Sequence, residues 1–162
     1  MTSDEAIALI NRFYSSFQQR DHAGMIACYH PQVEFTDPVF QTLKGKQACA
    51  MWHMLAERAT DIDITFDHVQ AQGSSGQAHW EAQYTFSGSG RRVHNVIDAA
   101  FEFADGLIVK HRDRFDLWRW TRMAIGTSGV LLGWSPLVQN RVRQRAQSGL
   151  KKFIEQHPEY QG

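Results

Sequence analysis

The chain has 162 residues, 43% of them hydrophobic and 21% charged, with 17 basic against 17 acidic side chains. That balance belongs to a folded globular protein and excludes disorder as the main state. It contains no run of 18 apolar residues, which excludes a membrane-spanning helix. The neutrality conceals an asymmetry: residues 1–118 carry 10 Lys/Arg and 15 Asp/Glu, whereas residues 119–162 carry 7 and 2. Nucleic acid could bind only through that basic tail, so it is not an expected partner. The start, Met1 to Ile10, has no basic segment followed by an apolar run and does not read as a secretory signal. Cys28 and Cys49 form no CxxC and no zinc spacing, so they read as reduced packing thiols. Together these features predict a cytoplasmic protein.

Thr2 and Glu5 stand at capping-box spacing, and Ala6, Leu9, Ile10, Phe13 and Phe17 recur at helical intervals behind them. Asp21 opens a short second helix holding Met25, Ile26 and Tyr29, ended by His30-Pro31. Val33, Phe35 and Asp37 alternate with polar residues in a short strand stopped by Pro38. A third helix follows Gly45, with Ala48, Met51, Trp52 and Leu55 on one face.

The period then changes to two. Segments 61–67, 78–86, 93–103 and 107–117 each alternate apolar and polar residues, with Gly/Ser or Asp-Gly turns between them. Consecutive strands with short turns predict an antiparallel sheet, and helices before strands predict an α+β fold. The Ala104-Asp105-Gly106 turn is read as a three-residue loop pairing Phe103 with Leu107, Ala99 with His111 and Ile97 with Asp113. A two-residue loop would set Phe103 against Ile108 but Phe101 against Lys110, mixing charge into the apolar face. Beyond Trp118, an apolar run from Met123 to Trp134 is broken by three glycines. Ser135-Pro136 then starts a helix with Leu137, Val138, Val142, Ala146, Leu150, Phe153 and Ile154 on one stripe. The division predicted is 1–120 for the main domain and 121–162 for a C-terminal helical extension.

Polar residues on apolar faces are the candidate chemistry. His111 and Asp113 stand between Val109 and Phe115, Asn95 between Val93 and Ile97, and Asp37 in phase with Val33 and Phe35. A buried carboxylate is costly unless it is paired or takes a proton, and a carboxyl with a titratable neighbour in an apolar cavity can do general acid–base work. The plainer alternative is that His111 and Asp113 hydrogen-bond each other and that Asp37 caps the turn at Pro38. No third ligand accompanies His111 and Asp113 by spacing, so no metal is expected there. Gly73-Ser-Ser-Gly76 is a turn and not a phosphate loop.

Several motifs in order resemble the SnoaL-like branch of the nuclear transport factor 2-like superfamily. They are Arg12-Phe13-Tyr14, Asp21-His22, Val33-Glu-Phe-Thr-Asp37-Pro38, Leu43-Lys-Gly45-Lys46, Phe101-Glu-Phe103-Ala-Asp105-Gly106 and His111-Arg-Asp113-Arg-Phe115-Asp116-Leu-Trp118. The resemblance spans about residues 3–120 and implies a curved antiparallel sheet wrapped on N-terminal helices, a cone with a deep apolar pocket. It implies Asp37 as a base like that of ketosteroid isomerase and Asp113 as the last-strand acid–base of SnoaL-like cyclases, with His111 beside it. The isomerase's Tyr position falls on Phe13, one residue from Tyr14, and its protonated Asp falls on Asp98 or Ala99, so that oxyanion hole is not expected. Asn95, Tyr14, Phe13, Phe35, Trp52, Trp80, Phe101 and Phe115 are the expected substrate-binding wall. The reading is acid–base chemistry on a small apolar molecule (cyclisation, isomerisation, dehydration or epoxide opening) with no cofactor. The alternative is a non-catalytic binding or interaction module. A homodimer is the expected assembly, with peripheral membrane contact through the C-terminal helix the lesser alternative.

Overall fold

The computed structural model describes residues 1–162; the side chains of Ser128 and Val130 lie outside the described residues, and with them the Val130 share of the apolar run. The elements are α1 (Ser3–Gln18), α2 (His22–Ile26), β1 (Tyr29–Asp37), β2 (Gln41–Lys44), α3 (Lys46–Arg58), β3 (Asp63–Gln72), β4 (Ser75–Phe86), β5 (Arg91–Ala104), β6 (Leu107–Arg114), α4 (Leu117–Ile125), α5 (Thr127–Leu132) and α6 (Pro136–Glu155). A 3₁₀ turn, Pro158–Tyr160, closes the chain. The strands form one six-stranded sheet in the order β2-β1-β6-β5-β4-β3. Four pairings are antiparallel, and β1 runs parallel to β6, so the sheet is mixed.

α1 begins on the expected capping box, in which Thr2 Oγ1 accepts from the Glu5 N–H and Glu5 accepts from the Thr2 N–H. Its buried face, Ala6, Leu9, Ile10, Phe13, Tyr14 and Phe17, lies over the concave side of the sheet. α3 closes the layer with Met51 and Trp52. Burying a large apolar side chain stabilises by about 1.5–3 kcal/mol, so these two stripes hold the helices on the sheet.

Two expectations change. The second helix stops at Ile26, and Tyr29 is the first residue of β1, which continues through His30-Pro31. Proline is tolerated there because the first pairings with β6 are interrupted, between Tyr29 and Glu34. The β5–β6 hairpin uses the two-residue loop. Asp105 and Gly106 both have positive φ, 54° and 75°, as a type I′ turn requires. Phe103 pairs with Ile108, but Glu102 then pairs with Lys110, so Val109 is an extra residue. This β-bulge resets the phase, and Phe101 meets His111 rather than Lys110. Ala99 pairs with Asp113, two positions from the expected register. From Lys110 onward a shift of two leaves the side chains on their expected faces, but before the bulge Ile108 enters the core in place of Leu107 and Val109.

β6 ends at Arg114, and Asp116 caps α4 where the alternation read on into strand. α4 packs on β5 through Trp120 and Ala124. α5 lies so close to α4 that a Cβ on Gly129 or Gly133 would collide with Thr121. α6 starts at the expected Ser135 cap and lies over α3, with Leu150 and Phe153 in the main core. The end of α5, the connection and the start of α6 leave Leu131, Leu132, Trp134 and Leu137 exposed. Among the described residues no helix is long and apolar enough to cross a membrane.

Candidate functional site: a wired His–Asp pair inside the cone

β6 carries His111 and Asp113 two residues apart, so both side chains enter the concave face, where they are 1% and 3% exposed. His111 Nε2 stands 3.0 Å from Asp113 Oδ1. His111 Nδ1 stands 2.7 Å from the Tyr29 hydroxyl, which accepts from Trp52 Nε1 at 2.7 Å. Asp113 Oδ1 also accepts from Trp80 Nε1 at 3.2 Å. An indole N–H can only donate, so Tyr29 accepts from Trp52 and Asp113 accepts from Trp80. In the arrangement that uses every donor, Tyr29 donates to Nδ1 of a neutral His111, whose Nε2–H donates to Asp113. The pair is therefore satisfied internally, as the plainer expectation had it. Oδ2 of Asp113 accepts no hydrogen bond among the described residues.

Aromatic rings enclose the pair. Phe101, Phe35, Phe13 and Trp52 have centroids 4.5, 5.1, 5.4 and 5.8 Å from His111. Tyr14 stacks on Phe66 and tilts against Trp80. Its buried hydroxyl has no hydrogen-bond partner among the described residues. Burial, and then the nearby Asp113 charge, push the Tyr14 phenol well above its ordinary range. An unpaired buried hydroxyl costs about 1–3 kcal/mol, so this one is an unmet bonding capacity beside Asp113.

Asp37 ends β1. Its Oδ1 accepts from the N–H groups of Val39 and Phe40, at 2.9 and 2.6 Å, so it does cap the Pro38 turn. Burial raises its carboxyl from 3.8 to about 7; the backbone N–H bonds hold it down and the Asp113 charge pushes it further up. Asn95 shares the inner face but sits four residues along β5 from Ala99, the partner of Asp113. That separates them by roughly 13 Å. The Asn95 side chain makes no hydrogen bond among the described residues, and 8% exposure leaves it a little solvent. Phe115 is half-buried where the main core meets the α4 cluster.

Two concavities, of about 380 and 300 Å³, lie beside Met1 and Gly106, and neither touches the pair. Of the expected wall, Phe13, Tyr14, Phe35, Trp52, Trp80 and Phe101 are buried in the main core. Tyr29 is the member of the network that sequence reasoning placed on a helix. The signal for it was the fixed step Tyr29-His30-Pro31, whose proline favours extended backbone just before it.

A family model described as the SnoaL-like domain matches residues 10–111, and the chain belongs to that family, within the nuclear transport factor 2-like superfamily. The match includes Asp37 and stops short of Asp113 and α4–α6. Among solved structures, an LEH-like epoxide hydrolase from M. tuberculosis is similar at 20% identity and TM-score 0.64, over 84% of this chain and 96% of that one. A proposed SnoaL-like polyketide cyclase from Jannaschia sp. CCS1 is similar at 18% identity and TM-score 0.66, over 77% and 94%. TerC, co-crystallised with polyporic acid, is similar at 18% identity and TM-score 0.64, over 75% and 98%. No curated protein sequence matches the chain. Identities this low establish the fold and leave the chemistry to the site.

Proposed function

We propose that this chain performs acid–base chemistry on a small, largely apolar molecule, with Asp37 and Asp113 as its two carboxyls. The observation that carries the reading is the coupling of Asp37, at about 7, to an Asp113 held by His111 in one aromatic interior. A group poised near neutral pH can both take and give a proton, which general catalysis needs. The buried Tyr14 hydroxyl is an unmet bonding group that a substrate oxygen would satisfy. Asn95 would orient the far end of the substrate. Similarity to an epoxide hydrolase and a proposed cyclase supports epoxide opening or cyclisation as the reaction class.

The test is turnover of a panel of small epoxides and cyclisable aromatic ketones, followed by mass spectrometry. Expected is a kcat/KM profile inflecting near pH 7, with activity falling about 10²-fold or more in Asp37→Asn and in Asp113→Asn. Turnover that both variants retain would remove the carboxyls from the mechanism.

The internal hydrogen bonds of His111 and Asp113 favour a second reading, a non-catalytic module of the same fold whose His–Asp pair is structural. It predicts no turnover, and ligand-induced NMR shifts confined to outer residues.

A further inference from the structure

α3 and the C-terminal turn bring a second histidine cluster together on the outside of the cone, away from the His111–Asp113 pair. His53 and Glu57 are one helical turn apart on α3, and His157 arrives from the segment between α6 and the final 3₁₀ turn. One ligand atom from each lies within 4.8 Å of the other two. His53 Nε2 and Glu57 Oε2 are 3.3 Å apart. Two ligands at about 2.05 Å from a tetrahedral ion stand roughly 3.3 Å from each other, so this pair already has the separation of a metal's edge.

The far nitrogens are also engaged. His157 Nδ1 lies 2.7 Å from the Phe153 carbonyl, which can only accept, so the neutral ring carries its proton on Nδ1 and its lone pair on Nε2. His53 Nδ1 lies 2.8 Å from the Tyr160 hydroxyl. Oxygen partners on Nδ1 that orient the ring and free Nε2 are the usual outer support of metal-binding histidines. His22 stacks on His53 at 3.6 Å between centroids, 14° from parallel, and fixes that ring from the other side. His53 is only 13% exposed at its side chain while Glu57 is 58% exposed, so the cluster opens to solvent on one side.

We propose that His53, Glu57 and His157 form a binding site for a zinc-type divalent transition-metal ion, with water in the fourth position. Two imidazoles and one carboxylate suit such an ion and suit magnesium or calcium poorly. The ion would tie the C-terminal turn to α3, joining Glu57 to a residue 100 positions further along the chain.

The experiment titrates chelator-stripped full-length protein with Co²⁺ and then Zn²⁺. Expected are one ion per chain, a visible Co²⁺ spectrum of tetrahedral intensity and its loss when Zn²⁺ displaces the cobalt. His157→Ala and Glu57→Gln should each weaken Zn²⁺ binding at least about tenfold, and Tyr160→Phe, which removes no ligand, by about tenfold. Zn²⁺ should raise the melting temperature of the wild type and not of His157→Ala. His79→Ala, in a separate His–carboxylate cluster on β4, should bind as the wild type does. Glu57→Gln changes an exposed side chain, so it reports on binding even where His157→Ala does not fold. Absence of tetrahedral cobalt, equal affinity in wild type and Glu57→Gln, or loss of binding in His79→Ala would each overturn the site.

Discussion

The sheet carries two histidine–carboxylate pairs at the same spacing, one on each face. His111 and Asp113 on β6 point into the cone; His79 and Glu81 on β4 point out of it. Each pair has two further partners; in the outer pair His79 also meets Asp98, and Glu81 also meets His94. Those hydrogen bonds to Asp98 and Glu81 raise His79 above its ordinary value, and those from His79 and His94 hold Glu81 below its own. The inner pair's partners are the Tyr29 phenol, itself held by the Trp52 indole, and the Trp80 indole, which solvent cannot replace. Identical chemistry is thus soft on one face and rigid on the other, and strand phase alone decides which.

The largest effect should come from breaking the inner pair. His111→Ala or Asp113→Ala should each cost about 3–5 kcal/mol in urea denaturation, because either leaves a buried polar partner alone. Replacing both with leucine should cost less than the two single changes added together. A double variant as damaging as that sum would show that the pair contributes nothing as a unit.

Next comes Asp37. Its folded value, about 7, lies above the unfolded 3.8, so the folded state holds the extra proton between those values. Stability should therefore fall as pH rises from about 4 to about 7, by about 4 kcal/mol at most, and stay level above that. Asp37→Asn keeps the acceptor for Val39 and Phe40 but cannot ionise, so its stability should lack this slope and exceed the wild type at pH 8. Melting temperatures across pH 4–8 decide it. Tyr29→Phe should cost about 1–3 kcal/mol by stranding the Trp52 N–H, measured in the same denaturation series.

The smallest effect belongs to the outer pair. His79→Ala should change stability by no more than about 0.5 kcal/mol. Because His79 is raised, its contribution is present below pH 6.5 and vanishes as pH climbs through the raised value. Added salt should erase it. A loss that salt leaves unchanged would remove the contrast between the faces.

Much of this arrangement was legible in the residues. The two-residue spacing of His111 and Asp113 puts them on one face, which pairing with Phe101 and Ala99 turns inward, and Asp98, out of phase, lies outside against His79. The exact pairing was not legible, because a bulge adds one residue without any compositional mark; Val109 looks like any strand residue. Tyr29 was hidden by helical spacing from Met25 and Ile26, and only the tertiary pairing with Ile108 makes it strand. α4 was hidden because Phe115 and Leu117 continue the two-residue rhythm past the point where Asp116 caps a helix. β2 has a single buried residue, Leu43, too little for a pattern. The filling of the interior depends on how aromatic side chains from α1, α3, β1, β4 and β5 interlock, which no local window contains.

The extra residue at Val109 also gives the hairpin a parity. Drawing it into the ladder would let the Asp105-Gly106 turn stand while inverting everything from Lys110 onward, so that Lys110 and Arg112 entered the cone; excising it would leave a regular hairpin in which Glu102 still meets Lys110 and Phe101 still meets His111. A single-residue deletion is therefore tolerated at Val109, where it removes only the bulge, and not between Lys110 and Asp113, where it would swap the faces. A relative one residue shorter between that turn and the Asp113 position should therefore have a regular hairpin and still present the same two side chains to the interior.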